Sequence, residues 1–383
     1  MKNINPVVRW WVTPELPYHD IYEPPLLKNK SRIAFYIHLF SHWVIHPIKR
    51  RLARWYLRFL QKTTDIKVIG VTGSAGKSIT VQMIASILKC KGTTLCTLSS
   101  VDSVYNIPNT ILRCLPNVKY LVLEMSVEYP GEMDYYLWLA KPDIGVITNI
   151  FPTHTEFLKD VHGVLKEKGK LVRALEKNDF AVLNRDNTAL KEIANNLKTR
   201  VVWFDSNVDL DIQNANAAIA VAKLLGIGKD EIKKGLETYK RPEHRFKVIK
   251  HKSKAVIVDD SYNSNPEALL SVLNKFNKLA GHGTKIAVLG DMLELGKISS
   301  REHKRVGREI AKSGFDVVIG VGDIIKDLLD EVSKKSSNTR TYHFSKQEEV
   351  LPLLKTYLKK NTFVLIKGSR SIGLDKVVDG LIK

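Results

Sequence analysis

One stretch of the chain combines the residue types that bind phosphate groups. An apolar run, Val68-Ile-Gly-Val, leads into a glycine turn and then into Lys-Ser at the predicted start of a helix. Gly73 and Gly76 let backbone N–H groups approach phosphate oxygens, and a helix N-terminus adds positive potential. Lys77 can reach the outer phosphates of a nucleotide, while Ser78 can ligate Mg²⁺. The pattern predicts an ATP-binding loop made of Thr72, Gly73, Ser74, Ala75, Gly76, Lys77 and Ser78, although the strict motif wants glycine at position 71, where valine stands.

Two side chains further along could complete a magnesium site. Glu124 ends the apolar run Tyr120-Leu-Val-Leu, where a carboxylate oxygen can face an ion that is shared with the nucleotide. His154 ends the segment Ile147-Thr-Asn-Ile-Phe-Pro-Thr-His. Because Mg²⁺ prefers oxygen ligands, the residue type of His154 fits a hydrogen-bonded histidine at least as well.

These segments resemble the Mur ligase family in content and in order. Residues 72–78 look like the short P-loop of that family, residues 123–132 resemble its Glu-x-Gly…Gly-Glu motif, and residues 147–154 resemble its Thr-Asn…His motif. Met125 and Ser126 stand where the family commonly has small residues. The resemblance implies an ATP-dependent ligase with two Mg²⁺ ions, for which the predicted metal ligands are Ser78, Glu124, His154 and a carbamylated Lys168.

The assignment of Lys168 depends on an alignment. The segment Lys166-Glu-Lys-Gly-Lys-Leu resembles the family segment whose lysine is carbamylated. Only a neutral amine reacts with CO₂, so such a lysine must have a depressed pKa. Lys166 and Lys170 lie so close that an ordinary surface lysine stays an alternative at position 168.

Later segments resemble the nucleotide contacts of the same family. Asn214 resembles the asparagine that reads adenine, with helix capping as the alternative, but Leu210 and Asp211 stand where the family has His-Asn. Arg245 resembles the hinge arginine that meets the nucleotide phosphates, a task that suits its forked charge. The segments 258–266, 289–296 with His303, and 366–370 look like the D-alanyl-D-alanine-adding branch of the family. That likeness implies that Asp260 holds the ribose and that Tyr262 and Asn263 lie at or near the base, with ordinary turn chemistry as the alternative.

The elements that must position these residues follow an α/β pattern. From Lys67 onwards, short β-branched runs alternate with helical patterns, and this alternation starts again near Arg245. We expect a central P-loop domain with a mostly parallel sheet at residues 67–242 and a Rossmann-like α/β domain at residues 243–383. Ligands bind outside the carboxyl ends of strands in such sheets, which is where the polar motifs lie.

Residues 1–66 are predicted to be a separate basic, aromatic, helical segment. They hold four of the six tryptophans and do not resemble the uridine-binding domain that the family carries before its P-loop, so we expect this chain to lack that domain. Residues 33–60 mix basic and aromatic side chains like a helix at a membrane interface, and docking onto the protein itself is the equal alternative. The apolar part is too short to span a bilayer and no signal peptide is recognisable, which favours the cytoplasm, with the inner face of the membrane as a possible site of contact.

Composition limits the classes of protein that remain. The chain of 383 residues is 44% hydrophobic and 26% charged, as globular proteins are. Its three cysteines include no C-x-x-C pair, which argues against a disulfide framework or a zinc site. The formal charge of +20 favours anionic partners, but no nucleic-acid-binding signature accompanies it, so we expect no nucleic-acid partner.

The resemblance implies that the enzyme forms an amide bond through an acyl phosphate. Its expected partners are ATP, an anionic peptide-bearing acceptor of cell-wall synthesis, and an amino acid or dipeptide, and we expect a monomer. Two alternatives stay open. One is a ligase of the same mechanism that acts on a lipid-linked or polyglutamyl-type carboxylate, and the other is a nucleotide-binding scaffold without catalysis.

Overall fold

The computed structural model describes Trp11, Tyr36 and residues 40–382 apart from 100, 207 and 208. Contacts divide the chain into two compact units. The first comprises Met1–Pro152, Phe157–Asn207 and Asp211–Lys240, and the second comprises Thr153–Glu156, Val208–Leu210 and Arg241–Lys383. Residues 33–35 and 37–39 of the predicted interfacial segment lie outside the described part of the chain.

The first unit is built on a parallel sheet. Its strands are β1 (Lys67–Thr72), β2 (Thr94–Cys96), β3 (Tyr120–Glu124), β4 (Ile144–Ile147), β5 (Phe180–Asn184) and β6 (Arg200–Phe204). Within the described residues these six strands are all parallel and lie in the order β2-β3-β1-β4-β5-β6. Runs such as Lys67-Val-Ile-Gly-Val-Thr are typical of strands that are buried on both faces, and five residues of β1 are buried.

Helices cover both faces of this sheet. After a π-helical turn at Ser41–Ile45 the helices of this part of the chain are α1 (His46–Thr63), α2 (Lys77–Lys89), α3 (Ser103–Leu112), α4 (Glu132–Leu139), α5 (Thr155–Leu158), α6 (Val161–Lys168), α7 (Lys170–Arg173), α8 (Thr188–Ala194), α9 (Leu210–Leu224) and α10 (Lys229–Glu237). The first two residues of α5 and the first residue of α9 are assigned to the second unit. Alternate residues of a strand point to opposite faces, so Val68 packs into a core with Leu57 of α1, whereas Ile69 packs into a core with Ile84 of α2.

Helix α1 packs against the first unit through one face. Ala53, Leu57 and Leu60 are buried in the core, and the Tyr56 hydroxyl donates a hydrogen bond to the Cys114 carbonyl (2.6 Å). The opposite face is apolar and exposed; Trp55, for example, is 64% exposed. The same helix therefore docks onto the protein and presents an apolar surface to solvent. None of the helices in the described ranges is long and apolar enough to cross a membrane.

The second unit contains a mixed sheet. Its strands are β7 (Lys247–Lys250), β8 (Val256–Asp259), β9 (Thr284–Gly290), β10 (Val317–Val321), β11 (Arg340–Phe344) and β12 (Thr362–Lys367). Among the described residues they lie in the order β11-β10-β9-β12-β8-β7, and only β7 is antiparallel to its neighbour. Its helices are α11 (Pro266–Ala280), α12 (Ser299–Lys312), α13 (Lys326–Lys335), α14 (Val350–Tyr357) and α15 (Asp375–Ile382), with 3₁₀ turns at Gly296–Ile298, Gln347–Glu349 and Arg370–Ile372. The predicted fold class is confirmed.

Candidate nucleotide-binding and catalytic site

The loop between β1 and α2 depends on two glycines. Gly73 has φ +147°, and a Cβ there would lie 2.0 Å from Thr148 Oγ1. Gly76 has φ +79°, and a Cβ there would lie 2.1 Å from Asn214 Oδ1. Larger residues would collide at both positions, and glycine adopts these φ values without strain. The loop that was predicted to bind phosphate therefore lies in close contact with the end of β4 and with α9.

The segment after β4 holds this loop in place. The Ala75 N–H donates to Asn149 Oδ1 (2.8 Å), and Thr148 Oγ1 donates to the Ala75 carbonyl (2.6 Å). Ser74 Oγ donates to the Phe151 carbonyl (3.0 Å) and accepts from the Phe151 N–H (2.9 Å). Thr148 and Asn149 belong to the predicted Thr-Asn…His motif, but the sequence alone indicated no role for them. Their position after a strand next to β1 was the signal that could have identified them.

Ser78 and Glu124 lie side by side at the end of the loop. Ser78 Oγ donates to Glu124 Oε1 (3.1 Å). The backbone N–H of Glu124 donates to the buried Thr97 Oγ1 (2.9 Å), which fixes the end of β3. Two adjacent oxygen atoms of a hydroxyl and a carboxylate suit a hard cation, so this pair fits the chemistry of Mg²⁺. Thr97 is a supporting residue that the sequence did not indicate.

Lys168 is fully buried at the end of α6, whereas Lys166 is exposed and Lys170 is half-buried. Its Nζ donates to the Val127 carbonyl (3.0 Å). Burial, followed by repulsion from Lys77, lowers the pKa of the Lys168 ammonium to about 7, although nearby glutamates act in the opposite direction. The lowered pKa increases the neutral fraction of this amine near pH 7, and the neutral amine is the form that reacts with CO₂.

His154 belongs to the short segment of chain that contacts assign to the second unit. It has φ +55°, it is 9% exposed, and its Nδ1 contacts the carboxylate of Glu294. Next to it, Thr155 Oγ1 donates to the Leu295 carbonyl (2.9 Å). Ser78, Glu124 and Lys168 belong to the first unit.

Asn214 is buried in α9 beside the P-loop, with 1% exposure. Neither its amide oxygen nor its amide nitrogen has a hydrogen-bond partner in the described part of the chain. Because α9 begins at Leu210, Asn214 lies inside the helix and does not cap it, so the capping alternative is wrong. Buried polar atoms normally find partners, and an amide left without one next to a phosphate loop points to a ligand.

In the second unit, the predicted contacts gather where β8 and β12 end. Asp260 Oδ1 accepts from the Phe246 N–H (2.9 Å), and Oδ2 accepts from Lys367 Nζ (2.6 Å). Burial lowers the pKa of Lys367, and Asp260 acts against that shift. Lys367 Nζ also donates to the Asn263 carbonyl (2.8 Å). Lys367 was not among the site residues predicted from the sequence. Each oxygen of Asp260 keeps capacity for a further donor because a carboxylate has about four acceptor positions.

Tyr262 stacks with cations in the same cluster. The Arg245 guanidinium lies 4.1 Å from the centre of the Tyr262 ring, and that of Arg370 lies 5.7 Å from it.

His303, which accompanies the motif at residues 289–296, is a structural residue. Its Nε2 accepts from the Met292 N–H (3.0 Å), and its Nδ1–H donates to the Ser299 carbonyl (2.8 Å). A ring with one accepting and one donating nitrogen is neutral, and burial, which lowers the pKa of His303, favours the same neutral form.

The glycine-dependent loop, the Ser78–Glu124 pair and the buried Lys168 all belong to the first unit, which has the strand–loop–helix arrangement of a P-loop α/β unit. Residues 71–224 match the Mur ligase middle domain, and residues 244–370 match the Mur ligase, glutamate ligase domain. The chain belongs to the Mur ligase family. The predicted resemblance and the predicted enzyme class, a Mur-type ligase, are therefore confirmed.

Individual relatives agree over most of the chain. The UDP-N-acetylmuramoyl-tripeptide–D-alanyl-D-alanine ligase of Buchnera aphidicola subsp. Baizongia pistaciae is 30% identical over 371 residues, covering 87% of this chain and 78% of the relative. The MurF ligase from Thermotoga maritima in complex with ADP has a TM-score of 0.75 at 25% identity, covering 87% of this chain and 82% of that chain. A crystal structure of MurF from Acinetobacter baumannii shares the fold, with a TM-score of 0.78 at 24% identity over 88% of this chain and 80% of that chain.

Replacing Gly76 with alanine tests the contact with Asn214. We expect ATP affinity to fall by about 100-fold, the order of loss that a displacement of about 1 Å causes at a positioned site. Gly226→Ala is the matched control, because Gly226 has φ +69° and its added Cβ meets no atom within 4 Å. Titration with a fluorescent ATP analogue measures both. Equal affinities would contradict the role of the Gly76 contact.

Proposed function

We propose that this chain is an ATP-dependent ligase that adds D-alanyl-D-alanine to the tripeptide of a cell-wall precursor. The relative from Buchnera aphidicola is named for this activity, and the MurF structure from Thermotoga maritima contains ADP. The observation that carries the proposal is the hydrogen bond between Ser78 Oγ and Glu124 Oε1 at the end of the predicted phosphate loop, because it puts two of the four predicted magnesium ligands side by side.

Several residues would hold the nucleotide and its metal ions. Ser78 and Glu124 are the proposed ligands of Mg²⁺, and His154 is carried over as a ligand from the family resemblance. Bound Mg²⁺ would supply positive charge that neutralises the phosphates during transfer. The side-chain amide of Asn214 offers a donor and an acceptor, and these complement the acceptor and the donor that adenine presents on one edge. Arg245, Asp260, Tyr262 and Asn263 are the proposed contacts of the nucleotide from the second unit.

Lys168 is proposed to act as a carbamate. At pH 7 an ordinary lysine is neutral to roughly 0.1% or less, whereas a group with pKa near 7 is about half neutral. The amine nitrogen attacks CO₂ and loses a proton, so a cation becomes an anion with two oxygen ligands. Lys77, whose charge disfavours the ammonium form of Lys168, would attract the carbamate. The carbamate would then be a further Mg²⁺ ligand.

The proposed reaction has two steps. A carboxylate oxygen of the acceptor attacks the γ-phosphorus of ATP, the bond to the bridging oxygen breaks, and ADP leaves. The amine of D-alanyl-D-alanine then attacks the acyl carbon, a tetrahedral intermediate forms, and it expels phosphate while the amine loses a proton. Lys77 and the N–H groups of residues 73–78 stabilise the charge that moves along the phosphates.

Release of phosphate from ATP tests the activity. We expect release only when UDP-N-acetylmuramoyl-tripeptide and D-alanyl-D-alanine are both present. Ser78→Ala and Glu124→Gln should each lower kcat by about 100-fold or more, because they remove charge-stabilising ligands. Glu176→Gln, which changes an exposed carboxylate paired with Lys141, should keep wild-type rates. ATP binding without release under any condition would favour the non-catalytic scaffold.

Carbamylation has its own spectroscopic test. In ¹³C-bicarbonate at pH 7.5, the wild type should show a carbamate carbon resonance that Lys168→Met lacks and Lys166→Met retains. The signal should weaken below pH 7, because protonation removes the nucleophile as the pH falls through the pKa of Lys168. A resonance that survives in Lys168→Met would assign the carbamate to another amine.

We further propose that α1 touches the cytoplasmic surface of a membrane. Its outer face exposes Ile48 (49%), Leu52 (50%), Trp55 (64%) and Phe59 (48%), and the rings of Trp55 and Phe59 stack with centroids 6.0 Å apart. The helix carries no acidic residue and six basic ones, which are Lys49, Arg50, Arg51, Arg54, Arg58 and Lys62. Apolar rings flanked by cations are typical of helices at anionic lipid surfaces.

Cosedimentation with vesicles tests this contact. The wild type should bind vesicles that contain anionic lipid, and the double variant Trp55→Ser with Phe59→Ser should bind about tenfold or more weakly, since both rings lose their apolar burial. Leu279→Ser with Ile382→Ser removes two exposed apolar residues of the second unit and should leave binding unchanged. Deleting α1 is a poor test, because Leu57 and Leu60 belong to the core. Equal binding by all three proteins would refute the contact.

A further inference from the structure

Two residues with left-handed backbone conformations flank Arg245 in the second unit. His244 has φ +57° and Phe246 has φ +49°. Residues other than glycine rarely adopt positive φ, and they keep such a conformation only where surrounding contacts enforce it. Arg245 is the residue that is proposed to contact the nucleotide phosphates. The contacts that enforce the backbone on both sides of it are therefore candidates for a role in nucleotide binding.

The side chain of His244 is held by a buried carboxylate. Its Nδ1 lies 2.8 Å from Oδ2 of Asp259, the last residue of β8. An ionised carboxylate only accepts hydrogen bonds, so the imidazole donates through Nδ1. Asp259 is 1% exposed, and its Oδ1 accepts from the hydroxyl (2.6 Å) and from the N–H (3.1 Å) of Ser261. The His244 ring is thus bonded to a carboxylate that is itself fixed at the end of a strand.

The backbone of the same segment is bonded to the chain that follows β8. The His244 carbonyl accepts from the Tyr262 N–H (3.2 Å). On the other side of Arg245, the Phe246 N–H donates to Oδ1 of Asp260 (2.9 Å). Together with the bond from the imidazole, these contacts connect the residues on both sides of Arg245 to the end of the strand.

Tyr262 supports the charged end of the Arg245 side chain. The guanidinium lies 4.1 Å from the centre of the Tyr262 ring. The N–H groups of a guanidinium lie in its plane, so packing of its face on a ring does not consume them. The arrangement presents a permanently charged fork of the kind that binds phosphate oxygens. Ordering this fork before the nucleotide arrives lowers the entropy that is lost on binding.

We infer that His244 and Asp259 are positioning residues for the phosphate contact of Arg245, an inference that rests on the proposed function. Asp259 holds the His244 ring, the ring holds residue 244 in its left-handed conformation, and the guanidinium of Arg245 is thereby kept on Tyr262. His244 acts on the nucleotide through Arg245. Its removal therefore matters only while the arginine is present, and this dependence distinguishes positioning from a general effect on the fold.

Titration of the full-length protein with Mg-ADP tests the inference in a double-mutant cycle. His244→Gly removes the imidazole but accepts φ +57° without strain, so a loss of affinity reports the lost contact with Asp259. We expect about tenfold weaker binding, which is within the coupling range of residues in contact. His244→Asn should restore most of the affinity, because asparagine tolerates positive φ and its amide can donate to Asp259. His244→Gly combined with Arg245→Gln should bind no more weakly than Arg245→Gln alone.

His251→Gly is the matched control, because His251 is also a partly exposed histidine of the second unit. Its Nδ1 likewise makes a side-chain hydrogen bond, to the Ser253 hydroxyl (2.8 Å). This variant should bind Mg-ADP as tightly as the wild type does. Asp259→Asn provides a second variant if thermal unfolding shows that His244→Gly is unstable, and it should also weaken binding only while Arg245 is present.

Wild-type affinity in His244→Gly or in Arg245→Gln would overturn the inference. So would a double variant whose loss equals the product of the two single effects, since His244 would then act independently of Arg245. An equal loss in His251→Gly would also overturn it. A wild type that shows the expected cycle but releases no phosphate from ATP with both substrates present would contradict the proposed ligase function and leave the positioning of Arg245 standing.

Discussion

The parallel register of β1 between β3 and β4 is the constraint on which the first site depends. Val71 pairs with Glu124, and Thr72 pairs with Ile147, so the three strands end at the same height. Ser78 then reaches Glu124, and the residues after Ile147 meet the phosphate loop. A slip by one residue would turn each side chain of a strand to the opposite face, which would separate the carboxylate from the hydroxyl. Hydrogen bonds of the sheet thus determine the spacing of Ser78 and Glu124, the proposed magnesium ligands.

Burial of Lys168 requires a compact loop between β3 and α4, and two glutamates maintain it. Glu167 Oε1 accepts from the N–H groups of Gly131 and Met133, while Glu132 Oε2 accepts from those of Glu128 and Tyr129. Both carboxylates are occupied by backbone donors, so their charge organises the loop. Desolvation therefore outweighs these anions, and the pKa of Lys168 is low despite three glutamates in its surroundings.

Local patterns were enough to predict the P-loop, the α/β class and the proximity of Ser78 to Glu124, because each follows from strand order or from a short motif. The partners that join distant segments could not be predicted. Lys367 lies 107 positions from Asp260 in the sequence, and no local feature links the two. Likewise, three neighbouring lysines look alike in sequence, and the face of α6 that is buried depends on the loop packed against it. The short segment with His154, assigned by contacts to the second unit, has no sequence signature of that membership.

The chain passes from the first unit to the second and back again at the segment that contains His154. Thr153–Glu156 belongs to the second unit although first-unit chain precedes and follows it, so neither unit is one uninterrupted length of polypeptide. The Glu156 N–H donates to the Glu294 carbonyl (3.1 Å), and a fragment that starts at Arg241 would lose this bond with the rest of the segment. A single cut between Lys240 and Arg241 therefore leaves Thr153–Glu156 on the other side from the unit with which it makes its contacts.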